Sequence, residues 1–272
     1  FELDNLLSID KISKHKQGVS IIGMVYNKSV TKNKNILLDV EDLTGRIKVL
    51  VSKSKVDLYK IAEEICLDSV LGFRCSGDDK ILFVNGIFFP DSKIPERKRS
   101  PVEEYALFIG DLHFGSKLFL KEGFFKFFDY LTGNFEGSKW DEIKKIKYLF
   151  IIGDLVTGVG NYPEQEKDLN IVDLEDQFIE LAKILEKIPK HIKIIISPGN
   201  HDGVRIMEPQ PVFDIKYAWP LYQIKNVIIT ENPCMLNIGA QDNFVGFDVL
   251  TYHGFSYTYY AGNIPELIKK KA

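Results

Sequence analysis

Apolar and polar positions alternate through most of the first ninety residues. Val19, Ile21 and Val25 share one face of a strand predicted over 18–26. Similar runs over 36–41, 47–51, 70–75 and 80–87 predict four more strands, and 55–64 has the spacing of a helix. Three strands, a helix and two strands is the order of the OB-fold, a small all-β barrel.

Two local features add detail to the predicted barrel. The segment 42–45 predicts a hairpin turn in which Gly45 takes a positive φ. In the predicted helix, Val56, Tyr59 and Ile61 are expected to face inward. An OB-fold can bind single-stranded nucleic acid or serve as a protein-binding surface, and the second use is favoured because no exposed aromatic platform is evident.

The alternating pattern ends at a segment rich in proline and basic residues. Residues 90–101 contain three prolines together with Lys93, Arg97, Lys98 and Arg99, which is typical of a linker. We therefore expect an OB-fold domain over 1–92, a linker over 93–101 and a second domain over 102–272. The basic side chains of the linker could contact DNA phosphate or simply be solvated.

After the linker, short continuous apolar runs replace the alternation. The runs at 105–109, 148–152 and 193–196 predict buried strands, and later strands are predicted at 227–230 and 249–252. Helical spacing over 122–131 and 173–188 lies between them. This order predicts an α/β layered domain, a sandwich of helices around a sheet. The dense phenylalanines of the first helix are expected to form core rather than a base-stacking platform.

Composition limits the classes of protein to which the chain can belong. The net charge of -3 excludes a uniformly basic nucleic-acid-binding protein but allows a local basic patch. The three cysteines have no zinc-site spacing and are expected to be reduced, buried thiols. No apolar run approaches the ~20 residues that span a membrane, and no signal peptide is evident, so we expect a cytoplasmic protein.

Polar residues follow four of the predicted strands, and their types are those that bind metal ions. They are Asp111, His113, Asp154, Asn200, His201, Asp202 and His253. Ligands gather at the carboxyl ends of strands in α/β sheets, so these side chains are expected to converge. Asp111 and His113 are two residues apart and would point to the same side of an extended backbone.

Carboxylate, imidazole and amide ligands suit manganese, iron, zinc or magnesium rather than a metal that prefers thiolate. A pair of such ions ~3.5–4 Å apart can hold a phosphodiester and activate water. Any one of these histidines alone would be better explained as a structural residue. The joint occurrence of the residues at strand ends favours a metal site.

Four motifs occur in a fixed order: D-x-H at 111–113, G-D at 153–154, G-N-H-D at 199–202 and H-G at 253–254. In this order they resemble the calcineurin-like metallophosphoesterases, over residues 102–272. The resemblance implies that Asp111 and His113 bind one ion, that Asp154 bridges both, and that Asn200 and His253 bind the second. It also implies that His201 is the catalytic acid or phosphate-orienting residue, held by Asp202.

Two positions depart from that family pattern. The chain ends before the family's G-H-x-H motif, and Thr157 stands where many relatives carry a second acid. Together with the first residue, Phe1, the missing motif predicts that the chain is a fragment whose phosphoesterase domain is incomplete at its C-terminus. The loss of the second acid is expected to be tolerated, because Asp154 is the shared ligand.

The pairing of an OB-fold with a phosphoesterase resembles the B-subunits of replicative polymerases. Residues 154–163 and 198–202 are similar to those of the small subunits of archaeal family D DNA polymerases. The resemblance implies a manganese-dependent 3′–5′ exonuclease for proofreading, which hydrolyses DNA with two metal ions. Its implied partners are the large catalytic subunit and a single-stranded or frayed 3′ DNA end, with the sliding clamp as a further candidate. The alternatives are a non-catalytic scaffold subunit and a general metallophosphoesterase.

Overall fold

The computed structural model describes residues 3–90 and 97–270. Contacts divide the chain into two compact units, one of residues 1–95 with 257–272 and the other of residues 96–256. Part of the predicted linker, residues 93–96, lies outside the described residues.

The first unit contains a closed barrel of five strands. They are β1 (Gln17–Val30), β2 (Ile36–Glu41), β3 (Arg46–Val51), β4 (Val70–Gly77) and β5 (Ile81–Phe88). Their order around the barrel is β1-β2-β3-β5-β4, in which β3 and β5 are parallel and the other neighbouring strands are antiparallel. Helix α1 (Val56–Glu64) connects β3 to β4. This arrangement confirms the predicted all-β, OB-like barrel.

Alternation produces the barrel core as expected, with Val19, Ile21 and Val25 buried on one face of β1. Helix α1 differs from the expectation, because Val56 is 58% exposed and the helix buries Ala62 instead. The prediction that Gly45 takes a positive φ was also wrong. The Asp42 carboxylate shapes that turn by accepting the backbone N–H groups of Thr44 and Gly45.

The second unit is built on a parallel sheet of four strands in chain order. They are β6 (Tyr105–Ile109), β7 (Ile146–Ile152), β8 (Lys193–Ser197) and β9 (Val227–Ile229). Its helices are α2 (Lys121–Thr132), α3 (Trp140–Ile143), α4 (Leu174–Leu185) and α5 (Ile215–Gln223). The last two strands, β10 (Cys234–Ile238) and β11 (Phe247–Thr251), form a separate antiparallel pair. The predicted α/β layered architecture is confirmed.

Packing explains which residues face the core of this unit. Phe124, Phe128 and Leu131 of α2 are buried, so the phenylalanine-rich helix is a core element as predicted. Helix α4 begins after Asp173, whose carboxylate accepts the Asp176 N–H and caps the helix. Strand β6 lies at the sheet edge, and Phe108 is 51% exposed although a fully buried strand was expected.

The chain closes with two short helices, α6 (Tyr257–Asn263) and α7 (Pro265–Lys270). By contacts they belong with the barrel, and residues of α7 pack near α1. The domain boundaries expected from the sequence, which place residues 257–272 in the second domain, stay a prediction.

Three further features concern membrane insertion and the state of the cysteines. No helix in the described ranges is long and apolar enough to cross a membrane. The three cysteines are free; Cys66 and Cys75 are buried, but Cys234 is only half-buried, contrary to expectation. Burial raises the pKa of the Cys75 thiol to about 12, which keeps this thiol protonated and unreactive.

Candidate metal centre

The polar residues singled out in the sequence come together at one edge of the parallel sheet. Asp111 follows β6, Asp154 follows β7, and Asn200 and His201 follow β8. His253 also follows a strand, but that strand is β11 of the separate antiparallel pair. Convergence at the ends of parallel strands therefore explains three of the four segments.

Left-handed backbone conformations set the directions of the first ligand candidates. Asp111, His113 and Asp154 have φ values of 51°, 48° and 49°. The expectation that Asp111 and His113 lie on extended backbone was therefore wrong. Non-glycine residues with this conformation are strained, and such strain is concentrated at functional sites.

Two groups of potential ligand atoms share one carboxylate. One group contains His113, Asp154 and His201, and the other contains Asp111, Asp154 and His253. Within each group, the ligand atoms lie within 4.8 Å of one another. Asp111 and His113 thus fall into different groups, and the shared member is Asp154.

Asp154 is 3% exposed and belongs to both groups. Its Oδ2 atom lies 3.4 Å from His253 Nε2 and 3.7 Å from His113 Nε2. Its Oδ1 atom accepts the His201 backbone N–H at 2.9 Å. Burial alone would raise the pKa of this carboxyl, but hydrogen bonds from His253 and His201 outweigh burial and lower it. Asp154 is therefore ionised, as a metal ligand must be.

The two imidazoles beside Asp154 differ in protonation. The hydrogen bond to Asp154 raises the pKa of His253 to about 9, against the opposing effect of burial. Its Nε2 atom also lies 3.1 Å from Asn200 Oδ1, which brings Asn200 into the centre. Burial lowers the pKa of His113, so its ring is neutral and keeps a lone pair. A cation that binds here would displace the His253 proton.

Backbone groups around the motif loop hold the ring of His201. Its Nδ1 atom lies 3.0 Å from the Thr157 carbonyl oxygen and 3.2 Å from the side-chain nitrogen of Asn161. The ring meets the His113 ring edge-on, with centroids 4.8 Å apart.

Asp202 does not have the expected contact with the His201 ring. Its carboxylate oxygens accept the Val156 N–H at 2.9 Å and the Gly199 N–H at 2.8 Å. Complete burial raises the pKa of Asp202 to about 7. Asp202 therefore ties the loop after β7 to the loop after β8, and it positions His201 only through the backbone.

Two glycines leave room for the ligands. A Cβ atom on Gly153, which has φ +71°, would collide with the His253 imidazole. A Cβ atom on Gly199 would collide with Asp154 and approach His253. The side chains at the centre can pack together only because these positions have none.

Several positioning residues carried no recognisable signal in the sequence. Asn232 is fully buried, and its Oδ1 atom accepts the His253 N–H at 2.9 Å. Its amide nitrogen donates to Gln210, which is also fully buried. The Thr157 hydroxyl donates to the His113 carbonyl oxygen at 2.7 Å, so the residue that replaces the family's second acid supports a ligand loop.

The donor set fits divalent ions of intermediate hardness. Its members are carboxylate oxygens, imidazole nitrogens and one amide oxygen, without a thiolate among the grouped residues. Manganese, iron, zinc and magnesium all accept such ligands.

Comparison with known proteins agrees with this geometry. The sequence model of the calcineurin-like phosphoesterases matches residues 106–269. The DNA polymerase II small subunit of Pyrococcus furiosus is 40% identical over 99% of this chain, which covers 44% of that protein. The protein of that name from Archaeoglobus fulgidus is 37% identical over 97% of this chain and is 52% covered. The chain thus spans about half the length of these relatives.

The Stn1-Ten1 complex of S. pombe matches 30% of this chain at 16% identity, with a TM-score of 0.28.

Proposed function

The chain belongs to the calcineurin-like phosphoesterase family, and from that premise we propose that it is the 3′–5′ exonuclease subunit of an archaeal replicative DNA polymerase. The observation that supports this most directly is the pair of ligand groups that share Asp154. A bridged pair of cations suits cleavage of a phosphodiester. The similarity to DNA polymerase II small subunits over nearly the whole chain favours DNA as the substrate.

The residues of the chain would divide the work. Asp154 would hold both ions. The family resemblance assigns His113 and Asp111 to one ion and His253 and Asn200 to the other, whereas the ligand groups of the protein place Asp111 with His253. Two divalent ions at this place would neutralise phosphate charge and activate water, with manganese as the proposed species.

His201 would act on the phosphate rather than hold an ion. Its Nδ1 atom lies against the Thr157 carbonyl oxygen, and its ring belongs to the ligand group of His113 and Asp154. In its protonated form, the ring would orient the phosphate or pass a proton to the leaving oxygen. The substrate would be a single-stranded or frayed 3′ end, and the product one nucleotide at a time.

The partners follow from the same relatives. A protein named as a small subunit implies a large catalytic subunit, and we propose that this chain binds one. The barrel would supply protein-binding surface, and the sliding clamp is a further candidate partner. A replicative role would place the protein in the cytoplasm.

The test is nucleotide release by the full-length protein in manganese. Single-stranded DNA with a 5′ label should shorten stepwise from its 3′ end, whereas Asp154→Asn should leave the DNA intact. The label position reports the polarity of cleavage. A wild-type protein no more active than Asp154→Asn would favour the non-catalytic scaffold. Rapid hydrolysis of a small model phosphodiester without release of nucleotides would favour a general phosphoesterase.

A further inference from the structure

A cavity of about 710 Å³ opens beside the metal centre. Its lining includes three residues of the metal centre, Asp111, His113 and His201. The rest of the lining is mostly apolar and includes Leu118, Leu120 and phenylalanines of the same segment. Its size lies within the ~300–1,000 Å³ typical of ligand sites. The cavity therefore combines candidate metal ligands with an apolar wall.

The apolar wall is built from a loop with an unusual surface. Leu118 and Leu120 are 86% and 83% exposed. Between them, Phe119 packs against Phe114 and Phe124, with ring centroids 5.1 Å and 5.0 Å apart, and so anchors the loop. Folding alone does not explain two exposed leucines on an anchored loop.

The N-cap of α2 also carries an apolar side chain that helix stability does not explain. Leu120 occupies the N-cap position of α2, and its side chain provides no capping hydrogen bond. Serine, threonine, aspartate or asparagine would stabilise that position better than an apolar residue. Leu120 also lines the cavity, where an apolar side chain is suited to contact with a ligand.

The chemistry of the lining limits the ligand that fits. Among the described residues that line the cavity, there is no lysine or arginine, so the lining offers no basic side chain for a second phosphate. Tyr162 adds an aromatic ring to the wall. A ligand that suits this lining carries one phosphate, which bound metal ions would hold, and a flat, largely apolar group.

We propose that the base of the 3′-terminal nucleotide occupies this cavity, against Leu118, Leu120 and Tyr162. The proposal rests on the proposed nuclease function and names the part of the substrate that the site recognises. Apolar and aromatic walls bind the face of any base, so recognition would tolerate sequence. A base must leave its stack and its pairing partner to enter, which would select single-stranded or frayed ends.

The test compares two 3′ ends on single-stranded DNA. One ends in thymidine, and the other ends in an abasic residue that keeps the sugar and phosphate. The wild-type full-length protein in manganese should release the thymidine end faster by about 5-fold or more in kcat/KM, the lower limit for stacking of one base. The double variant Leu118→Ala, Leu120→Ala should lose that preference while it keeps the manganese content of the wild type.

Leu43→Ala is the matched control, because Leu43 is a fully exposed leucine of the barrel unit and does not line the cavity. It should retain the preference for the thymidine end. Equal rates on both ends in the wild type, or an unchanged preference in the double variant, would overturn the proposal.

Binding separates this proposal from the nuclease proposal. Calorimetry in manganese should show tighter binding of thymidine monophosphate than of deoxyribose 5-phosphate, and the double variant should lose the difference. If the protein releases no nucleotide but shows this difference, the nuclease proposal fails and the cavity proposal stands. If nucleotides are released without any preference for a base, the cavity proposal fails alone. If neither release nor a binding difference is seen, both proposals fail.

Discussion

Asp154 is the residue on which the metal centre depends. It is buried, it is ionised, and it is the member common to both ligand groups. A buried carboxylate needs opposite charge around it, and protonated His253 supplies that charge in the protein without a cation. The pair therefore links metal binding to the pH dependence of stability.

The sign of that pH dependence follows from the raised pKa of His253. A raised pKa in the folded state stabilises the protein fully below the ordinary value of 6.5, and the contribution is lost as pH rises through about 9. In a chelator, the melting temperature of the wild type should therefore fall between about pH 6 and pH 9.5. Thermal melts of the chelator-treated protein measure this.

Asp154→Asn is the control, because its amide oxygen can still accept the His201 N–H while the charge that raises the pKa of His253 is gone. This variant should show a smaller fall over the same pH range and should bind little manganese. Equal falls in the two proteins would show that the pair does not contribute.

His201 and His253 are expected to differ in metal binding. His253 lies against both Asp154 and Asn200, whereas the His201 ring is held through Nδ1 by a backbone carbonyl. His201→Ala should retain two manganese ions and lose about 10²–10⁴-fold in turnover, the range for a lost acid–base group. His253→Ala should lose one ion.

Metal content by mass spectrometry and single-turnover rates on both variants decide the assignment. This test can distinguish a ligand from an acid–base residue, because His201 lies in a potential ligand group with His113 and Asp154. Loss of an ion from His201→Ala equal to that from His253→Ala would make His201 a ligand.

At the scale of elements, periodicity predicted most of the architecture. Alternation placed Val19, Leu38 and Val49 in the barrel core, because the side-chain period of a strand is two. It is regular in β2 and β3, whereas Ser20 of β1 is buried beside Val19. Continuous apolar runs likewise located β7 and β8. The short period of a strand leaves little ambiguity about which side chains face inward.

The predictions that failed depended on contacts between distant segments. Val56 is exposed because α1 packs through Ala62. Helical spacing alone does not determine which face of the helix packs against the barrel. Asp111 and His113 adopt left-handed backbone because the loop after β6 pairs with the loop after β7, where the His113 N–H donates to the Asp154 carbonyl. Nothing local to either segment encodes these partners.

The hairpin of β10 and β11 shows how a second sheet contributes a ligand. His253 leaves β11, and its backbone N–H is fixed by the buried Asn232 just before β10. Asn232→Ala should remove that support and leave Gln210 without its partner. We expect a loss of about 1–3 kcal/mol in the free energy of unfolding and about 10–100-fold in metal affinity.

Denaturant unfolding and manganese titration measure these two effects. Asn237→Ala is the control, because Asn237 belongs to the same hairpin but is exposed. It should change neither quantity appreciably. If Asn237→Ala weakens metal binding as much as Asn232→Ala, general loosening of the hairpin explains the effect.

At the scale of the whole molecule, the residues that the structure describes form two separate hydrophobic cores. One core fills the barrel and includes Phe73, and the other lies around the parallel sheet and includes Leu149. All residues of the candidate metal centre belong to the second unit. Stability and metal binding should therefore respond differently to damage in each core.

Phe73→Ala should destabilise the barrel by about 3–5 kcal/mol, because Phe73 is a large, fully buried side chain. Manganese affinity should stay close to that of the wild type, since no ligand is attached to the barrel core. Leu149→Ala, in the strand that ends before Asp154, should lower the free energy of unfolding by about 2–5 kcal/mol and also weaken metal binding.

Calorimetric unfolding with and without manganese distinguishes the two variants. The ion should raise the transition temperature of the second unit in Phe73→Ala as much as in the wild type, and less in Leu149→Ala. Equal weakening of metal binding by both variants would mean that the two cores unfold as one unit.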